Sequence, residues 1–312
     1  MTFTSTIKEE ITKLEGNRLE YIAELSAILR NNAKINEDII ITVENNAVAR
    51  RIFKLIKQIY DVTPAITVRK RYNFNTNLSY ILKIKTKKEI ILKDLSIVID
   101  NTYQDIPKEY IINDEECLRA YLRGLLIASG SINDPKTSRY HLEFIVDTIE
   151  YATFISKLLN KFNLNSKIIK REKNYMVYIK EAEKISDFLR VINAYEAVMY
   201  FEDIRIYRDH KNMTNRLNNC EQANMDKIFF TAANQIKDIE KLKEYDMINM
   251  LDEKIRIVID YRIKYPEASL ADLSDIISED TGNKISKSGL NHRFRKIREM
   301  VASIENIDES NV

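Results

Sequence analysis

The sequence predicts an α+β protein, a tandem pseudo-twofold αβ repeat followed by an all-α domain. Three observations predict it. AELSAILRNNAKIN (Ala23 to Asn36) lines up with AYLRGLLIASGSIN (Ala120 to Asn133) at an offset of 97 residues, the self-similarity of a duplicated unit. Downstream of both copies, β-branched and amphipathic segments follow in the same order. Residues 225–305 then carry helix caps and helical apolar spacing without strand-like alternation.

Within the first helix pair the identities are Ala23/Ala120, Leu25/Leu122, Leu29/Leu126, Ile35/Ile132 and Asn36/Asn133, while Ala27/Gly124 and Ala33/Gly130 stay small. Ala23 and Ala27, and Ala120, Gly124 and Ala128, recur every four residues and share one helical face. Such a face lets two backbones approach closely, which predicts two related helices crossing at a small-residue seam. EDIIITVEN and SRYHLEFIVD follow as strands, RRIFKLIKQIYDVTPAITVR and ATFISKLLNKFNLNSKIIKR each as amphipathic helix, turn and strand, and YILKIK and YMVYIK as closing strands. The expected domain limits are 1–212, with halves of about 1–100 and 114–212, a junction over 213–224, a helical domain over 225–305 and a tail over 306–312. The stretch before and through the junction is rich in Asn and charge, unlike a Gly/Ser linker. It reads as helix followed by a junction, with Arg205, Arg208, Arg216, Asn219 and Glu221 as a candidate polar hinge and Cys220 as a half-buried small residue.

In the helical domain, LDEKIRIVIDYRIKYPEA is expected to be a helix stopping at Tyr265-Pro266. Ser269 with Asp272 three residues on forms a capping-box signature, Leu270, Leu273 and Ile277 share a face, and Gly282 marks the break. Ser286 opens the final helix, whose buried stripe is Leu290, Phe294, Ile297 and Val301. The opposite face carries Ser288, His292 and Arg295, flanked by Asn291 and Lys296, with Lys287 at the start. Two short helices around a glycine turn, the second basic, match a helix-turn-helix over about 269–302. Asn291 suits adenine and Arg295 suits guanine in a major groove, and Ser286 or Ser288 suits a phosphate. Lys287, Arg293, Lys296 and Arg298 suit phosphates. A basic surface helix in an ordinary bundle is the competing reading.

Composition narrows the classes further. With 312 residues, 45% hydrophobic, 31% charged, 5 Gly and 4 Pro, the chain is long enough for two cores and too ordered for a disordered class. MTFTSTIKEE has no basic start with an apolar run behind it, so neither a secretory signal nor a membrane span is expected, and the cytoplasm is the expected location. Cys117 and Cys220 lie far apart and His141, His210 and His292 are scattered, which argues against a disulfide framework and a zinc site; no metal and no cofactor is expected. The net charge of +2 hides two basic tracts. Between Ala65 and Lys93 eight basic residues face one acid, and between Lys284 and Arg298 six face none, suggesting two contacts with a polyanion.

Taken together, IAELSAILRNNAKI, CLRAYLRGLLIASGSINDP, RLNNCEQANMDK and SLADLSDIISEDTGNKISKSGLNHRFRKI make the paired helices resemble those of LAGLIDADG homing endonucleases, and the whole chain resemble the WhiA family of bacterial regulators. The resemblance implies a tandem LAGLIDADG-like domain joined to a helix-turn-helix domain related to sigma-factor region 4. It implies double-stranded DNA as the partner and a role in transcription of cell-division, chromosome-segregation or sporulation genes, in association with the nucleoid. RNA polymerase or another transcription regulator is a further candidate partner. LAGLIDADG nucleases place one acid at the end of each helix for divalent metal; here Asn32 and Ser129 fall at those positions. Both are neutral and cannot offset a hard cation's charge, so no catalytic residue is assigned and the scaffold reads as a retired nuclease. A metal site displaced to Glu37, Asp38 or Asp134 is the alternative.

On that scaffold, alternation puts Thr67, Arg69 and Arg71 on one strand face and Ile81, Lys83 and Lys85 on another, with Lys167, Lys170 and Arg171 as second-half counterparts beside Glu172. Such rows track DNA phosphates, guard a sheet edge against aggregation, or meet a protein partner; alternation alone leaves all three readings open. Two other functions therefore stand beside the regulator: an adaptor of the nucleoid or division machinery acting through protein contacts, and a DNA endonuclease.

Overall fold

The computed structural model describes residues 2–70, 78–100, 102–137 and 139–310, without the side chains of 305–310. The chain divides into two compact units, 1–209 and 210–312.

The first unit opens with α1 (Phe3–Ile11), which buries Phe3, Ile7 and Ile11. Their spacing of four was a helix signal available in the sequence, although the repeat does not include this segment. The first copy follows as α2 (Arg18–Asn32), β1 (Ala33–Ile35), β2 (Ile39–Val43), α3 (Asn46–Tyr60), β3 (Ala65–Lys70) and β4 (Leu78–Ile84). After α4 (Lys88–Asp94) and the short strands β5 (Val98–Ile99) and β6 (Thr102–Tyr103), the second copy repeats that order. It comprises α5 (Glu115–Ser129), β7 (Gly130–Ile132), β8 (Leu142–Val146), α6 (Ile149–Lys161), β9 (Lys167–Lys170) and β10 (Tyr175–Ile179), with α7 (Ala182–Val191) behind it. Each copy makes a four-stranded antiparallel sheet of the same topology, β1-β2-β4-β3 and β7-β8-β10-β9. The aligned segments are thus helix and then strand, because Ala33 and Gly130 turn to extended backbone at the helix ends.

Local chemistry starts the four helices of the repeat. Asn17 and Glu20 form a capping box on α2, and the side chains of Asn45, Asp114 and Thr148 accept the first free N–H groups of α3, α5 and α6. α2 and α5 lie against one another at the expected seam, where Ala23, Ala27 and Ala120 are fully buried. Polar side chains are enclosed there too. Arg51 reaches Glu24 through two contacts of 2.8 Å with both side chains almost fully buried, and Arg123 reaches Glu20 at 3.2 Å across the pair. Sheet residues such as Ile39, Ile41, Leu82, Leu142, Phe144 and Val177 complete the core, each contributing roughly 2 kcal/mol by leaving water.

Helix α8 (Tyr195–Glu244) carries residues of both units. It runs unbroken through 213–224, so the junction expected there is helical, and Cys220 on it is exposed where a half-buried thiol was expected. Of the expected hinge residues, Arg205 binds Glu202 at 2.6 Å and Arg208 donates to the carbonyls of Pro135 and Thr137, all in the first unit, while Arg216, Asn219 and Glu221 are exposed. The second unit continues with α9 (Glu253–Lys264), α10 (Leu270–Thr281) and α11 (Lys287–Ser310). Its core joins Ile239 and Leu242 of α8 to Val258, Ile259, Leu273, Ile277, Leu290, Phe294, Ile297 and Val301.

Candidate nucleic-acid interface

The buried stripe of α11 determines what that helix can show to a ligand. Leu290, Phe294, Ile297 and Val301 are all enclosed, so the opposite arc faces water. Ser286, Lys287, Ser288, Asn291, His292, Arg295, Lys296 and Arg298 are exposed, and Arg293 is half-buried. Ser286 caps the helix by accepting the Gly289 N–H at 3.1 Å, and no acid sits in the first turn. The remaining N–H groups and the positive end of the helix dipole there favour an anion.

The turn before α11 is held by the expected Gly282 and by two serines, Ser274 and Ser278, that the sequence did not single out. Ser274 donates to the Ile285 carbonyl at 2.7 Å, Ser278 accepts the Ile285 N–H at 3.0 Å, and Gly282 takes the left-handed conformation at φ 68° that ends α10. Ser269 and Asp272 form the expected capping box. Arg262, only 1% exposed, donates to the carbonyls of Tyr265 and Ala268 and lies 5.5 Å from the Phe294 ring. It ties the α9–α10 turn to α11, and burial pulls its pKa below the usual arginine range. The signal for it was positional: Ile255, Val258 and Ile259 put residue 262 on the same buried stripe.

On the exposed face, Nη2 of Arg295 lies 2.9 Å from Nδ1 of His292, and Nε lies 3.6 Å from Glu299. Arginine can only donate, so His292 accepts through Nδ1 and carries its hydrogen on Nε2. Arg295 is thereby laid along the helix, one turn from Asn291, and the pair presents an amide and a guanidinium on neighbouring turns. That is the donor and acceptor set for reading adenine and guanine edges.

In the first unit, strand register sorts the basic residues. Ala65 and Ile40 pair with Lys83, Thr67 with Ile81 and Arg69 with Ser79, so Arg69, Lys83 and Thr67 share the sheet face turned away from the helices. Lys83 is spent on Asp38 at 2.6 Å, Lys85 lies beyond the end of β4 and is exposed, and Arg71 falls outside the described residues. In the second sheet Lys167 pairs with Tyr178, which pairs with Glu143, on the corresponding open face. Lys170 pairs with Tyr175 and Tyr175 with Val146, a buried residue. Lys170 is therefore on the other face, and the expected row of Lys167, Lys170 and Arg171 is split, because alternation turns every second side chain away. Arg171 rejoins Lys167 and lies 3.4 Å from Glu143, which also contacts His141 at 3.1 Å. Lys83 and Arg171 are thus matched by acids, and Ile145 and Ile169 stand exposed on the open face of the second sheet.

At the helix ends, Asn32 and Ser129 are half-buried and neutral, with the Ser129 hydroxyl 3.5 Å from the Leu125 carbonyl. Asp134 accepts from the Lys136 N–H and the Tyr200 hydroxyl. Among the described residues, no group of three or more His, Cys, Asp or Glu side chains gathers as a metal site, and no helix is long and apolar enough to cross a membrane.

Comparison with known families and proteins adds to this geometry. Residues 19–98 match the model of the WhiA N-terminal LAGLIDADG-like domain, 118–211 that of the WhiA LAGLIDADG-like domain and 214–301 that of the WhiA C-terminal HTH domain. A probable cell division protein WhiA of Bacillus cytotoxicus is 43% identical over 311 residues, covering 97% of each chain. Its counterpart in Lactiplantibacillus plantarum is 40% identical over 310 residues, covering 98% of this chain and 99% of that one. The crystal structure of full-length DUF199/WhiA from Thermatoga maritima matches with a TM-score of 0.59 at 25% identity, over 97% of this chain and 99% of that one.

Proposed function

Because the chain belongs to the WhiA family, we propose that it is a sequence-specific DNA-binding regulator of transcription, acting on genes of cell division, chromosome segregation or sporulation. The observation that carries this reading is the exposed face of α11, where Asn291, His292 and Arg295 stand on adjacent turns with Lys287, Lys296 and Arg298 around them. Asn291 and Arg295 read base edges in the major groove. Ser286, Lys287, Ser288, Arg293, Lys296 and Arg298 hold phosphates on either side. The domain of residues 1–212 acts as a non-catalytic scaffold: with Asn32 and Ser129 at the helix ends it lacks the paired carboxylates that hydrolysis through a divalent ion requires. On this reading the protein works in the cytoplasm, associated with the nucleoid.

A second role is favoured for that scaffold by its charge pairing. On the second sheet Arg171 is matched by Glu143 with Ile145 and Ile169 exposed beside them, and on the first sheet Lys83 is matched by Asp38. A face of balanced charge and apolar side chains suits a protein such as RNA polymerase or another transcription regulator better than a phosphate backbone. Selection of genomic fragments by the full chain, at several salt concentrations and with and without Mg²⁺, tests both readings. Enrichment of a common sequence without cutting supports the regulator. Cleavage overturns the non-catalytic assignment, and retention of no fragment above background leaves the adaptor reading in its place.

A further inference from the structure

Helix α1 is fastened to strands and loops of both repeats. The Thr4 hydroxyl donates to the Ile132 carbonyl at 2.8 Å and accepts the Ile132 N–H at 2.9 Å, and Asn45 donates to the Ser5 hydroxyl at 3.0 Å. Between α1 and the first sheet this leaves a cavity of about 710 Å³, walled by Thr2, Lys8, Asn32, Thr42, Glu44 and Asn45 among others. That volume is in the range of small-molecule sites.

Lys8 is the unusual member of this wall. Its side chain is half-buried, and among the described residues its amino group has neither a hydrogen bond nor an ion pair. Burial alone pulls its pKa from 10.5 down to about 8. An ammonium drawn partly out of water without a partner carries a cost, and here it stands beside a cavity rather than in a packed core. Around it stand the hydroxyls of Thr2 and Thr42 and the side-chain amide of Asn32, donors suited to an anion's oxygens.

We propose that this cavity binds the phosphate group of a small phosphorylated metabolite, with Lys8 pairing the phosphate and Asn32 and Thr42 donating to it. A lone lysine among hydroxyls and an amide suits a phosphate better than a carboxylate, for which the planar arginine fork is the closer match. The site would make the first unit ligand-responsive at the end of α2.

The test is thermal unfolding and calorimetric titration of the full chain with inorganic phosphate, ribose 5-phosphate and adenosine monophosphate, on the native sequence, Lys8→Met and Asn32→Asp. The expected result is stabilisation and saturable binding by at least one probe. Affinity should fall about tenfold or more in either variant, since each removes or opposes a charge-assisted contact. A response to all three probes that is absent, or equal in all three proteins, overturns the proposal. Displacement of the probe by a random-sequence DNA duplex also overturns it, assigning Lys8 to a DNA surface. Should Lys8→Met fail to fold, acetylation of native protein decides instead. Lys8 should react faster than the exposed lysines and be protected by ribose 5-phosphate, and failure of protection refutes the site.

Discussion

Gly124 of α5 sits so close to α2 that a Cβ built on it would lie 2.2 Å from the Glu24 carbonyl oxygen and 3.0 Å from the Ala27 Cβ. The two repeats therefore meet backbone to backbone at this point, and the small-residue spacing is a packing requirement. In a solvent-facing helix Gly→Ala is favourable by about 1 kcal/mol, so the sign of this substitution reports the contact. Gly124→Ala is expected to destabilise the chain by about 3 kcal/mol through forced separation of the helices, measured by denaturant unfolding. A neutral or stabilising result would show that the seam relaxes freely.

The enclosed pair of Arg51 and Glu24 supports the same seam from behind, and Arg51 also donates to the Leu14 carbonyl at 2.7 Å. Burial works against the Arg51 charge, but Glu24 outweighs it and leaves the guanidinium pKa above its usual value. Arg51→Met strands a buried carboxylate and should cost about 4 kcal/mol. Adding Glu24→Leu should restore most of that loss. If the double variant is no more stable than the single one, the cost lies in the Leu14 contact and not in the unpaired charge.

On α11 the two classes of contact separate by experiment. Arg295→Ala should narrow the preference for the selected sequence over random DNA by about 1 to 3 kcal/mol. Lys296→Ala should weaken both alike and reduce the slope of log affinity against log salt by about 1. Equal losses on specific and random DNA for Arg295→Ala would move that residue to the phosphate class.

Lys8 ties stability to pH with a definite sign. Its pKa is about 8 in the fold against 10.5 for the ordinary group, so the folded state binds this proton more weakly than the unfolded one. The penalty is fully present below pH 8 and fades as pH rises from there through 10.5. Among the described residues the cavity wall carries one other ionisable group, Glu44, which has a partner of its own. Lys8→Met should accordingly stabilise the chain by about 2 kcal/mol at neutral pH, with the gain shrinking toward zero in alkaline buffer. Comparison of denaturation midpoints at the two pH values checks this, and an undiminished alkaline gain would trace the effect to packing.

The sequence by itself determined the duplicated architecture and the helix-turn-helix. Both rest on short-range rules: helical spacing from Leu290 to Val301, the Ser269–Asp272 cap and Gly282 are each contained within a few residues, and the repeat is visible as identity at a fixed offset. The neutral residues at 32 and 129 were equally legible, since chemical type needs no coordinates. Only the tertiary structure decided which charges remain available. Lys83 meets Asp38 across the sheet, Arg171 meets Glu143 from another strand, and Lys170 turns to the opposite face from Lys167. Register and partner choice are long-range, and a basic tract looks the same in sequence whether or not acids meet it. Lys8 passed unremarked for the same reason, as it lines a cavity walled by two repeats, whereas the place of Arg262 on a buried stripe was legible and only its carbonyl partners needed the fold. Burial is a property of the whole packing, and it turns an ordinary cation into a clamp at 262 and into a candidate ligand group at 8.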